Sequence, residues 1–253
     1  MRRPATALAL LLSLAAPAAA LVGGAPVARD QGAGRHVVMI VSTRNNICTG
    51  TALARDLVLT AAHCVEPPAT YRVMADGIAA PGLALASRAV HPRYDAGHYK
   101  SGRVTADVAL LKLERPLPAS VVPAPLAPDR KVAAGDRFTV AGIGSTAHQS
   151  ETGIGVPRQA ALVATGRPGN LQIRLMDPAT RDRSAGLGAC TGDSGGPAFV
   201  ESDGRYAVIG VVSWSTGPAG SDGCGGLTGV TPLSLYRGWI AETAKKMGVA
   251  LGR

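Results

Sequence analysis

Apolar positions along the chain come in short runs separated by Gly, Pro and polar residues, with little helical spacing. His36-Val37-Val38-Met39-Ile40-Val41 is rich in β-branched residues and predicts a strand. Leu57-Val58-Leu59-Thr60 predicts a second, and it runs into Ala61-Ala62-His63-Cys64. Residues 108–113 (VALLKL), bounded by Arg115-Pro116, suit a strand better than a helix, with Asp107 at the mouth. Between them, residues 67–85 alternate short apolar pieces with Pro and Gly, and residues 91–102 read as an exposed loop. Five prolines in 116–128 leave no helical or strand pattern, so this stretch is read as an extended connection between two halves. The second half opens with Phe138-Thr139-Val140-Ala141-Gly142. Candidate strands follow at 160–164, at 171–175 and at 206–214, the most apolar run in the chain. Only residues 234–247 place Leu235, Tyr236, Trp239, Ile240 and Thr243 at helical spacing. The pattern predicts an all-β, two-part fold closed by one helix.

The amino terminus follows another logic. A basic Met1-Arg2-Arg3, an apolar stretch over 7–16 and a small-residue Ala18-Ala19-Ala20 site form a secretory signal peptide, too short in its apolar run to span a bilayer. Cleavage after Ala20 leaves Leu21-Val22-Gly23-Gly24 as the new amino terminus; cleavage after Ala18 is the alternative. No other run is long and apolar enough for a membrane anchor, so the mature chain is expected to be secreted or periplasmic.

Export changes the reading of Cys48, Cys64, Cys190 and Cys224. An even count in an oxidising compartment favours two disulfides, although spacing alone leaves three connectivities open. No Cys-x-x-Cys pair exists, so a zinc site ranks below that, and no cofactor or metal is expected. Formal net charge is +9, of which Arg2 and Arg3 leave with the leader. The remaining Lys and Arg are scattered and aromatic content is 4%, which suits a solvated basic surface and not a nucleic-acid interface.

Chemistry concentrates in Cys190-Thr191-Gly192-Asp193-Ser194-Gly195-Gly196-Pro197. Three glycines around a serine make a turn that exposes backbone N–H groups, and Asp193 requires a cationic partner if buried. A serine hydroxyl becomes a useful nucleophile when a base takes its proton, and histidine suits that role near neutral pH. A buried carboxylate then fixes the imidazole tautomer. His63, Asp107 and Ser194 supply the set, and Gly192 and Ser194 can donate N–H groups to an oxyanion.

Thr60-Ala61-Ala62-His63-Cys64, Asp107-Val108-Ala109-Leu110-Leu111 and Gly192-Asp193-Ser194-Gly195-Gly196-Pro197 resemble, in order, the three signature blocks of the chymotrypsin/trypsin family of serine peptidases. The resemblance spans residues 21 to 247. It implies two six-stranded antiparallel β-barrels with the active site between them and a C-terminal helix. Its boundaries fall at about 30–115, a connection at about 116–130, about 131–233 and a helix at about 234–247. It further implies His63 as general base, Asp107 as its orienting acid, Ser194 as nucleophile, and Gly192 and Ser194 as oxyanion donors. Asp193 would pair with the Leu21 amine, Ser213 would bond near Asp107, and Ser213-Trp214 would form the substrate-binding strand. The implied disulfides are Cys48–Cys64 and Cys190–Cys224.

Four departures stand out. Leu21 replaces the usual Ile, Ile143 a Trp, and Thr49 a common glycine, while residues 71–77 carry only Asp76, which does not support a calcium loop. Gly188 matches the base of the specificity pocket, with Ser215 and Gly229 as walls, so an apolar P1 residue is expected; Asp222 is read as an exposed turn acid near the mouth. The expected partner is a protein or peptide substrate of a monomeric enzyme. The alternatives are a binding-only relative of the same fold and a secreted esterase using the same triad.

Overall fold

The computed structural model describes residues 21–26, 30–75, 81–165 and 171–252 of the chain. The leader and Asp76 lie outside them. A two-residue strand, β1 (Ala25–Pro26), comes first, and a 3₁₀ turn over Gly32–His36 then delivers the chain to the first barrel.

Six strands close that barrel: β2 (Val37–Ser42), β3 (Ile47–Ala54), β4 (Leu57–Thr60), β5 (Tyr71–Met74), β6 (Leu83–Val90) and β7 (Ala109–Leu113), in ring order β2-β3-β4-β7-β6-β5. All pairs are antiparallel, as short hairpin-linked runs require. Leu57, Leu59, Leu110 and Leu111, on its two faces, are fully buried. Each such side chain contributes about 1.5–3 kcal/mol of burial.

The second barrel comprises β8 (Arg137–Gly142), β9 (Arg158–Ala164), β10 (Ile173–Met176), β11 (Pro197–Ser202), β12 (Arg205–Ser215) and β13 (Thr228–Pro232). Its ring runs β8-β9-β10-β13-β12-β11 and closes through β11–β8. The β1 strand adds to the free side of β9, with Pro26 opposite Arg158. The fold is therefore the two-barrel architecture expected from the sequence.

The proline-rich stretch is an extended strap that belongs to both barrels. Ala124 N donates to Ala52 O in the first, and Ala127 N to Val208 O in the second. The C-terminal helix, α3 (Arg237–Lys246), returns the chain to the first barrel. There Ile240 and Ala244 join its core, and the Tyr236 and Trp239 rings sit edge-on to His91.

Several local expectations shift. His36 ends the 3₁₀ turn, and its buried Nδ1 bonds Val122 O at 2.7 Å, so it packs beside Phe199 and Tyr206 instead of starting β2. The 91–102 loop contains a short helix, α2 (Ala96–Lys100), because the Asp95 carboxylate caps Gly97 N and His98 N at its start. The strand expected at 171–175 runs from Ile173 to Met176. The final helix starts at Arg237, after a 3₁₀ turn over Leu233–Leu235.

Candidate active site

His63 does not sit on the end of β4. The strand stops at Thr60, Ala61 stays extended, and His63 lies in the single-turn helix α1 (Ala62–Val65). A helix start leaves backbone N–H groups without partners. Asp107 Oδ1 takes the one on His63 at 2.9 Å. The other oxygen, Oδ2, lies 2.8 Å from His63 Nδ1 and also accepts the Ser213 hydroxyl. Asp107 is 1% exposed, whereas the His63 side chain retains 14%. One carboxylate thus fixes the backbone and ring of the histidine together. Its third donor arrives from β12 of the opposite barrel.

Ser194 projects from a turn held at both ends. Gly195 N donates to Val212 O at 2.7 Å and Gly196 N to Asp193 O at 3.0 Å. Gly195 has φ +83°, and a Cβ there would lie 2.1 Å from Thr60 Oγ1, so glycine is required. The peptide before Gly192 is oriented by Ser145 N, which donates to Thr191 O at 2.8 Å. A trans peptide points its N–H opposite its carbonyl, so the Gly192 N–H is aimed away from Ser145. Neither Gly192 N nor Ser194 N donates to any group among the described residues. Two unspent N–H groups beside a serine hydroxyl are what an incoming oxyanion needs.

Thr49 is the residue whose part in the site sequence reasoning missed. Its hydroxyl donates to Gly192 O at 2.8 Å and accepts Ile143 N–H at 3.2 Å, while its backbone N–H donates to Ser194 O at 2.8 Å. The available signal was the pair of threonines, Thr49 and Thr51, two apart in an otherwise apolar β3 run.

His63, Ser194, Gly192, Ser213, Trp214 and Ser215 line one cleft of about 750 Å³ between the barrels. Tyr99 of α2 forms another wall, with its ring stacked on His63 at 4.4 Å and 13° and its hydroxyl donating to Ser213 O at 3.2 Å. Burial and the Asp107 charge push its phenol well above the ordinary range, so it stays neutral. The disulfide Cys48–Cys64 braces α1 against β3, and Cys190–Cys224 ties the serine turn to the loop entering β13. Cys48, His63 and Cys64 place ligand-type atoms within 4.8 Å, but both sulfurs are committed to the disulfide and offer no thiolate.

The other singled-out residues are placed differently. Gly188 packs against the backbone of Gly225 and Gly226 and bridges Val22; it is not among the cleft walls. Gly229 lies beneath the Trp214 indole, and Thr228 takes the position opposite Ser215. Asp222 is exposed. Leu21 is fully buried, and its nitrogen is a peptide nitrogen in the full-length chain. Asp193 is also fully buried, and its donors among the described residues are Gly144 N and Cys190 N, both at 2.9 Å. Burial pushes its carboxyl up to about 7, opposed by those two N–H groups and by the charge of Arg158.

Paired antiparallel barrels with a Ser, His and Asp cluster in the crevice define the chymotrypsin-like class of folds. The trypsin family model matches residues 21–240, and the chain belongs to that family. A trypsin-like protease of Streptomyces glaucescens is 30% identical over 245 residues, covering 90% of this chain and 84% of its own. Among solved structures, human heparin binding protein superposes with a TM-score of 0.69 at 25% identity, over 91% of this chain and all of the other. A mutant of the same protein gives 0.67 at 26% identity, over 87% and 95%.

Proposed function

We propose that this chain is a secreted serine endopeptidase that hydrolyses peptide bonds through an acyl-enzyme. The observation that carries the reading is one cleft holding Ser194, the Asp107-oriented His63 and two unspent N–H groups. Ser194 Oγ attacks the carbonyl carbon as His63 Nε2 takes its proton, and the resulting oxyanion accepts from Gly192 N and Ser194 N. His63 then protonates the leaving amine, and a water repeats the sequence on the ester. Asp107 keeps the Nδ1 proton in place, which leaves Nε2 as the base. A binding-only relative needs none of these N–H groups left unspent.

The specificity expectation rests on the match of Gly188 to the base of the pocket in the family pattern, a residue that itself brings no charge. A Lys or Arg side chain would find no carboxylate at Gly188 itself, so P1 is expected to be apolar. Cleavage profiling of the mature protein with a peptide library, with Ser194→Ala as control, tests both points. A profile dominated by Lys or Arg at P1 overturns the specificity. Cleavage persisting in the control overturns the mechanism. We further expect signal peptidase to expose Leu21 directly; a secreted protein starting at Ala19 contradicts that.

A second cavity of about 440 Å³ shares Tyr99, Ser213 and Trp214 with the cleft and is lined by Lys100, Arg103 and Arg174, without an acid. Substrates with Asp or Glu on the acyl side of the scissile bond are expected to be preferred. Arg174→Ala should raise KM for such peptides about three- to tenfold at low salt and far less at high salt, because these charges are exposed and screened. Equal KM values for acidic and neutral peptides would count against this.

Thr49→Val removes the clamp on the Gly192 peptide and leaves two buried polar groups unpaired, at about 1–3 kcal/mol each. The expected result is a kcat lowered about tenfold or more with KM little changed, as for a misaimed oxyanion donor. Thr49→Ser should retain both. A Thr49→Val protein with wild-type kcat would remove Thr49 from the site.

A further inference from the structure

Arg158 opens β9 and is 6% exposed, an unusual place for a guanidinium. Its Nε and Nη1 are buried and have no hydrogen-bond partner among the described residues. The strand register explains where it lies. Arg158 is paired across the ladder with Gly142, and a Cβ on Gly142 would fall 2.1 Å from Asp193 Oδ1. On its other side it is paired with Pro26, five residues from Leu21. The arginine therefore stands at the meeting point of the amino-terminal strand, the Gly142–Gly144 segment and the buried carboxylate of the serine turn.

A fully buried carboxylate with two backbone donors still lacks a counter-charge, and a buried guanidinium with two idle N–H groups lacks an anion. We infer that Arg158 is a positioning residue, a built-in counter-charge that holds Asp193, and with it the Gly192–Ser194 turn, in place whether or not the chain has been cut before Leu21. The inference deepens the peptidase reading and rests on it for its consequence: maturation then supplies a second cation to a carboxylate that already has one. The electrostatics agree in direction, since Asp193 draws the Arg158 pKa upward against burial and Arg158 draws the Asp193 pKa downward.

The test uses the secreted chain beginning at Leu21, before and after selective acetylation of its α-amine, in wild-type, Arg158→Gln and Arg158→Lys forms. Hydrogen exchange of the Gly144 and Cys190 amides reads the turn directly, and kcat on a fluorogenic peptide reads the site. In the wild type, acetylation should leave amide protection and kcat within about threefold, because one cation remains. Acetylated Arg158→Gln should lose at least about tenfold in both, the change expected when a buried charge is left alone. Arg158→Lys should restore most of each.

Collapse of the wild type on acetylation alone overturns the inference, as does an acetylated Arg158→Gln protein that matches wild type. If Arg158→Gln does not fold, the Arg158→Gln/Asp193→Asn pair decides: recovery of folding supports the pairing, and failure to recover overturns it. A chain that shows the predicted exchange pattern but hydrolyses nothing supports the pairing while removing the peptidase reading.

Discussion

Replacing Ser194 with alanine is expected to lower kcat on a peptide substrate by about 10⁶-fold, the scale seen when a triad nucleophile is removed. KM should barely move, because the cleft walls at Tyr99, Trp214 and Ser215 remain. The Gly192 and Ser194 N–H groups also remain, so residual catalysis of about 10³–10⁴ over water should persist through oxyanion stabilisation and binding alone. The measurement is steady-state hydrolysis of a fluorogenic peptide, paired with phosphonate labelling of the active serine. Labelling of Ser194→Ala at wild-type stoichiometry would show that another residue is the nucleophile.

The second large effect belongs to Asp107. Three donors converge on its carboxylate: His63 N, His63 Nδ1 and the Ser213 hydroxyl. An asparagine has one acceptor oxygen and an NH₂ group in place of the other. That NH₂ must face a donor, and the imidazole relieves the conflict by moving its proton to Nε2, where it can no longer act as base. Asp107→Asn should therefore lower kcat by about 10⁴-fold near neutral pH. Folding should survive, since the shape is conserved. Wild-type activity in Asp107→Asn would mean that Asp107 only caps α1.

The sequence made the strands legible where apolar runs were short and β-branched, as in Val37–Val41 and Leu57–Thr60. The chemistry was legible because His63, Asp107 and the Gly192–Gly196 turn each carry a local signature. What stayed hidden is what depends on long-range register. Thr49 looked like a departure from a glycine, yet its hydroxyl meets a carbonyl 143 positions away. Gly229 looked like a pocket wall by counting, whereas the bulge between Val212 and Trp214 brings Thr228 opposite Ser215 and sets Gly229 under the indole. Arg158 is one arginine among many until the β8–β9 ladder shows what lies across from it. Helix α2 was missed because Asp95 caps it in a run with no apolar period.

The clamp from β3 has one more consequence. Thr49 binds Gly192 O and Ser194 O from the first barrel, while Ser213 reaches Asp107 from the second. Neither barrel owns a complete site. A ribosome-bound chain that has finished the first barrel carries His63 and Asp107 but not Ser194. A chain that has just emitted Ser194 still lacks β12, whose Ser213 completes the Asp107 contacts. The candidate site is thus complete only with the last third of synthesis and the docking of both halves.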